Sequence, residues 1–211
     1  MKSTLFNMTA VLLGITFVAS ASVGVVNMIT VEPIAAAEQA AKNAALTEVL
    51  PEFDATENET LTLDDLATTV YKASKGGELT GYAVEVASKQ GFGGMINLMV
   101  GFTPAGEIIN VNVLKQSETP GLGTNMAKEG NSLLASVKGQ NPADKKLVDG
   151  KLAVKKDGGD VDALTAATIS SRAYVDAINR AWAAYKQVTA GEAKKVEPAS
   201  ESETQEGEKN E

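Results

Sequence analysis

The residues best suited to chemistry in this chain lie in one short run, Asp162-Ala-Leu-Thr-Ala-Ala-Thr168. It sets the hydroxyl of Thr168 downstream of Asp162 and Thr165, where the sequence turns helical. Over residues 169–188, Val175, Ile178, Trp182 and Tyr185 recur at spacings of three and four, the period of a helix face. Thr168 therefore falls at a helix N-terminus, where unpaired backbone N–H groups and the positive dipole end favour a phosphate. A plainer reading exists: Thr165, Thr168, Ser170 and Ser171 are of the types that cap a helix start. The two readings are compatible. No His or Cys is present to activate the hydroxyl, so self-modification is not expected.

A second run, Ser117-Glu-Thr-Pro-Gly-Leu-Gly123, follows the apolar stretch 108–114. Pro120 fixes φ there, while Gly121 and Gly123 permit backbone conformations and close approaches that a Cβ would forbid. Taken alone, Pro-Gly-x-Gly is a turn. A third run, Gly91-Phe-Gly-Gly94, precedes an apolar strand at 95–102 that is too short to span a membrane as a helix.

In type and order the three runs resemble the flavin-binding motifs of the FMN-binding subunits RnfG (RsxG) and NqrC, and the resemblance covers most of the chain. It implies FMN esterified through its phosphate to Thr168, with Asp162 and Thr165 read by a separate flavin transferase. It also implies cofactor contacts from Ser170, Ser171, Glu118, Thr119, Gly121 and Leu122, with Glu118 and Thr119 hydrogen-bonding the flavin and Leu122 packing on its ring. One departure is visible. The family has Gly before the Ala-Thr pair, and this chain has Ala166. The expected function is an electron-carrying subunit of an Rnf-type membrane complex that couples electron flow between ferredoxin and NAD to ion movement. Its partners are the other membrane subunits. The near alternative is the NqrC subunit of the sodium-pumping, quinone-reducing complex; a more distant one is a membrane-anchored domain whose motif is never modified. An independent flavin reductase would need a nicotinamide site, and no G-x-G-x-x-G follows a strand here.

Composition narrows the classes further. With no Cys and no His, protein-ligated iron–sulfur clusters, disulfides and imidazole acid–base catalysis are excluded, and any redox role rests on an organic cofactor. A net charge of −8 with no basic stripe argues against nucleic acid. The 211 residues leave room for one domain and its appendages.

No charged side chain lies between Lys2 and Glu32. A helix over the apolar residues 5–29 would be roughly 37 Å long, enough to cross a hydrocarbon core of about 30 Å with tilt. Lys2 on the short flank favours a cytoplasmic N-terminus and an exported remainder in a bacterial inner membrane. The competing reading is a cleavable signal peptide ending at Ala19-Ser-Ala21; the apolar character of residues 23–31 continues beyond that point.

These readings predict an α+β protein: a single N-terminal transmembrane helix, then one exported FMN-binding domain with a mainly antiparallel sheet and flanking helices. The expected divisions are an anchor over 1–31, a membrane-proximal helix and linker over 32–65, the FMN-binding domain over 66–190 and a disordered acidic tail over 191–211. Within the second, a helix over 34–49 starts after Pro33 and stops before Pro51, and the acidic residues 52–65 form loop. Strands are expected at 68–73, 80–87, 95–102, 107–114 and 151–155, with turns at Gly76-Gly77 and Thr103-Pro-Ala-Gly106. Seven Glu against three Lys set the tail at 3 − 7 = −4, with almost no large apolar residue.

Overall fold

The computed structural model describes residues 5–196. The chain divides into two compact units, residues 1–45 and 46–211. In the first, helix α1 (Leu5–Val49, reaching into the second unit) is long and apolar enough to cross a membrane. Phe6, Leu13, Phe17, Val23 and Met28 are all exposed on it. Pro33 lies inside this helix rather than before a new one. A proline removes one backbone donor, and the Ala-rich residues beyond it carry the highest helix propensity, so the helix runs on.

In the second unit five antiparallel strands follow one another in sequence order: β1 (Ala55–Leu63), β2 (Leu66–Lys75), β3 (Glu78–Ser88), β4 (Ile96–Phe102) and β5 (Ile108–Lys115). The Gly76-Gly77 hairpin forms as expected, both residues at positive φ. Strand β1 corrects the expectation of loop over 52–65. Its side chains are mostly exposed, so no alternating apolar face advertised it, and the turn to β2 uses Asp64 and Asp65 at φ 47° and 60°.

Alternation along the strands builds two faces. One carries Val84, Val86, Leu98, Val100 and Phe102, all closed off by α3 (Thr168–Val196). The buried stripe on α3 is Tyr174, Ala177, Ile178, Ala181, Ala184 and Tyr185, with Trp182 only partly buried. The small alanines let the helix lie close to the sheet. Tyr185 joins Phe102, Trp182 and Tyr82 at ring-centroid distances of 5.1, 5.2 and 5.3 Å. On the other face the backbone of Val49 lies against Gly101, where an added Cβ would sit 1.9 Å from the Val49 carbonyl oxygen.

Between β5 and α3 the chain forms a short 3-10 turn (Gly123–Ala127), helix α2 (Ser132–Val137) and a small hairpin, β6 (Leu147–Val148) with β7 (Lys151–Leu152). The expected strand at 151–155 is therefore only its first two residues; the next turn of chain, Lys155–Asp157, is 3-10. Helix α3 extends past residue 188 to Val196, into the segment expected as tail, and the remainder of that tail lies outside the described residues.

Candidate functional site

Three loops converge at one end of the sheet. The 89–95 connection leaves β3, the 116–123 loop leaves β5, and the turn Leu164–Ala167 enters α3. Glu118 ties them together. It is buried; its Oε1 accepts from the Gly93 N–H at 3.1 Å and its Oε2 accepts from the Ser170 hydroxyl. The loops pack so tightly that a Cβ on Gly93 would lie 1.8 Å from the Ser117 carbonyl oxygen. One on Gly123 would lie 2.5 Å from Ser170 Oγ. Here glycine serves close approach rather than an unusual φ.

The entry into α3 is fixed by Ser171. Its Oγ accepts from the Leu164 N–H and donates to the Ala167 carbonyl, both at 2.9 Å. The Ser171 N–H also bonds the Ala167 carbonyl, which makes Ala167 the residue flanking the first turn. Alanine has no side-chain acceptor, so the first backbone N–H groups of α3 receive no side-chain cap there. Ser171 thus braces the turn ahead of the helix rather than capping its first N–H groups, and capping accounts for Thr168 no better. The Thr168 hydroxyl instead accepts from Lys156 Nζ at 3.2 Å.

Above this framework opens a cleft of about 440 Å³ lined by Phe92, Thr119, Leu122, Gly123 and residues 166–170. Phe92, Leu122 and Ile169 are exposed, large apolar side chains around it. A second cleft shares Leu122 and Ala166 with the first and adds Gly121, Asn125 and Thr165. The residues singled out from the sequence therefore separate into groups. Thr168, Ser170, Thr119 and Leu122 meet in the first cleft; Gly121 and Thr165 lie in the adjoining one. Glu118 and Ser171 lie beneath, engaged with the loops themselves. Asp162 is on the flank, its Oδ1 2.6 Å from Lys155 Nζ and its Oδ2 accepting from Ser136 Oγ at 3.3 Å.

Charge around the α3 entry is ordered by three side chains of one turn. The Asp157 carboxylate accepts two hydrogen bonds from Arg172, at 2.7 and 2.6 Å, and these hold its pKa below the usual carboxylate value. Its partner's guanidinium is raised by the same bonds. The Lys155 ammonium likewise lowers Asp162. Burial alone raises the Tyr174 hydroxyl, which has no hydrogen-bond partner among the described residues.

Sequence reasoning passed over Phe92, although its motif was read, and Lys156 altogether. Nothing in the sequence flags a lysine twelve positions before Thr168; the 3-10 turn brings it there.

The chain matches the FMN-binding domain family over residues 91–183. It is 42% identical over 110 residues to the RnfG subunit of the ion-translocating oxidoreductase complex of Shewanella loihica, covering 52% of this chain and 51% of that protein. To the protein of the same name from Shewanella piezotolerans it is 33% identical over 170 residues, covering 75% and 79%. To that from Pasteurella multocida it is 40% identical over 108 residues, covering 51% and 52%. The chain thus spans about half the length of the first and third of these relatives and about four fifths of the second. The matched region holds the 116–123 loop and the turn into α3 whole and the 89–95 connection from Gly91 onward, and the longer alignment reaches well beyond it: the chain belongs to the RnfG family of ion-translocating oxidoreductase complex subunits.

Proposed function

We propose that this chain is the membrane-anchored, electron-carrying subunit of an Rnf-type complex, with FMN held through a phosphate ester on Thr168. The observation that carries this reading is the position of the Thr168 side chain, on an uncapped helix start and in a cleft walled by Phe92, Thr119 and Leu122. The cleft's size lies within the roughly 300–1,000 Å³ of small-molecule sites. Bound there, FMN would supply reversible electron transfer.

The chain's own residues divide the work. Thr168 holds the phosphate, and the backbone N–H groups of the first turn of α3 face its negative charge. Phe92, Leu122 and Ile169 exclude water from the ring, and Thr119 offers it a hydroxyl. Ser170 keeps Glu118 in place, Glu118 keeps the loops together, Ser171 holds the turn into α3, and Gly121, at φ 76°, lets the 116–123 loop turn where it lines the adjoining cleft. Asp162 and Thr165 are presented at the edge, where a flavin transferase reads them. In the transfer the Thr168 Oγ–phosphorus bond forms and the pyrophosphate bond of FAD breaks. AMP leaves, and the hydroxyl proton passes to a base of the transferase.

The subunit relays electrons between its neighbours in the complex and turns over no substrate by itself; ferredoxin and NAD are handled by other subunits. The domain lies on the far side of the membrane from the cytoplasm, with the N-terminus inside, as Lys2 ahead of the span favours. Expression with a flavin transferase tests the attachment. The protein band is expected to fluoresce under ultraviolet light in a denaturing gel, with an intact-mass gain of one FMN. Both are expected to vanish in Thr168→Ala. A colourless, unmodified wild-type protein would instead favour a non-redox anchored domain.

A further inference from the structure

The turn Lys155–Asp157 carries three charged side chains just ahead of α3. Two are engaged with carboxylate or guanidinium partners: Lys155 pairs with Asp162 and Asp157 with Arg172. Lys156 forms no ion pair among the described residues, and its ammonium donates to Thr168 Oγ1 at 3.2 Å. Its place is not that of a free surface lysine. The turn is pinned to the core by backbone bonds from Lys155 N–H to the Val161 carbonyl and from Asp157 N–H to the Val154 carbonyl, each 2.8 Å. The flanking ion pairs then fix it to the attachment motif on one side and to the second turn of α3 on the other.

We propose that Lys156 is the positioning residue of the attachment site: it orients the Thr168 hydroxyl for esterification and afterwards pairs with the phosphate diester. The inference rests on the covalent attachment proposed above. An ammonium can only donate, so the Thr168 oxygen accepts from it and its own O–H is directed elsewhere, free to be taken by an incoming base. As the base takes the proton, the oxygen gains negative charge, which the neighbouring cation stabilises. As the Oγ–phosphorus bond then forms, AMP departs with the electron pair of the broken P–O bond, and the charge left on the flavin phosphate lies on its non-bridging oxygens. The product is a diester with one negative charge. Lys156 and the N-terminus of α3 then face it together.

The test uses the full chain, purified transferase and FAD, with attachment followed by intact mass in wild type, K156A and K156R. Because Lys156 is exposed, both variants are expected to melt as wild type does. Attachment in K156A is expected to slow by about tenfold, the change that loss of one charge-assisted hydrogen bond predicts, and K156R to recover most of it. Equal rates in wild type and K156A overturn the assignment, as does K156R attaching no faster than K156A. Phosphorus NMR of the finished flavoproteins separates pairing with the diester from contact with the transferase: the resonance is expected to move in K156A, and an unmoved one overturns the pairing. If wild type accepts no flavin, the attachment reading itself fails, and this inference with it.

Discussion

Ala166 has φ 58°, in the left-handed region. A Cβ there costs roughly 1–2 kcal/mol, and the chain accepts it at the one motif position where the family resemblance calls for glycine. Ala166→Gly is therefore expected to raise stability by about 0.5 kcal/mol, the relieved strain exceeding the entropy gained by the unfolded chain. Urea unfolding measures this; a decrease would mean that the turn is not strained. Asp157 gives a pH dependence with a definite sign. Its folded pKa lies below the ordinary aspartate value of 3.8 because Arg172 bonds to its charged form. The stabilisation is present above about pH 4 and is lost as the pH falls through the lowered value. Stability followed across the acid range, from about pH 6 to about pH 2.5, should fall less steeply in Asp157→Asn than in wild type, and parallel curves would remove the linkage. The family resemblance, carried by the motifs, singled out Thr168, Thr119 and Leu122, and all three line the cleft. The motifs could not announce that Glu118 would turn both oxygens to Gly93 and Ser170, because its partner on α3 lies 52 positions downstream and only the assembled fold brings it near.

At the scale of elements, legibility followed burial. Strands β2 to β5 could be read because one face of each is apolar and their turns carry Gly or Pro. Strand β1 could not, because its side chains pack against little and its pairing with β2 is a matter of backbone register. The β6–β7 hairpin was hidden by its length. Its turn, Asp149-Gly150, has both residues at positive φ, a stronger signal than the two-residue strands it joins. The site depends on one such local device. Gly93 lies so close to the Ser117 carbonyl that no Cβ fits between the two loops, which carry the Phe92 and Leu122 walls. Gly93→Ala must displace one loop, at a cost on the order of 1–3 kcal/mol. Flavin loading of this variant is expected to fall further than its stability explains. Full loading with reduced stability would mean that the 89–95 loop supports the fold without shaping the cleft.

Taken whole, the molecule couples a helix that suits a membrane to a domain that suits water. Residues such as Leu5, Phe17 and Ile29 are 84%, 73% and 68% exposed, and so many apolar side chains on the uncharged stretch 5–31 of one helix are not stable in water. The same helix in a bilayer satisfies its backbone internally and its side chains in lipid. In the proposed orientation Lys2 stays in the cytoplasm, as positive flanks do, and the FMN domain emerges on the far side. The proposed ester tether has a physical purpose there. Outside the cytoplasm a dissociated flavin is diluted and not replaced, whereas a covalent one cannot leave. The absence of Cys makes the orientation directly measurable, because an introduced thiol is the only one in the chain. Glu57 is exposed on β1, away from the cleft, and Glu57→Cys should be labelled by a membrane-impermeant maleimide in intact spheroplasts. Labelling only after the membrane is permeabilised would put the domain in the cytosol. The tether would then have no such rationale, and Lys2 would be on the wrong side of the span.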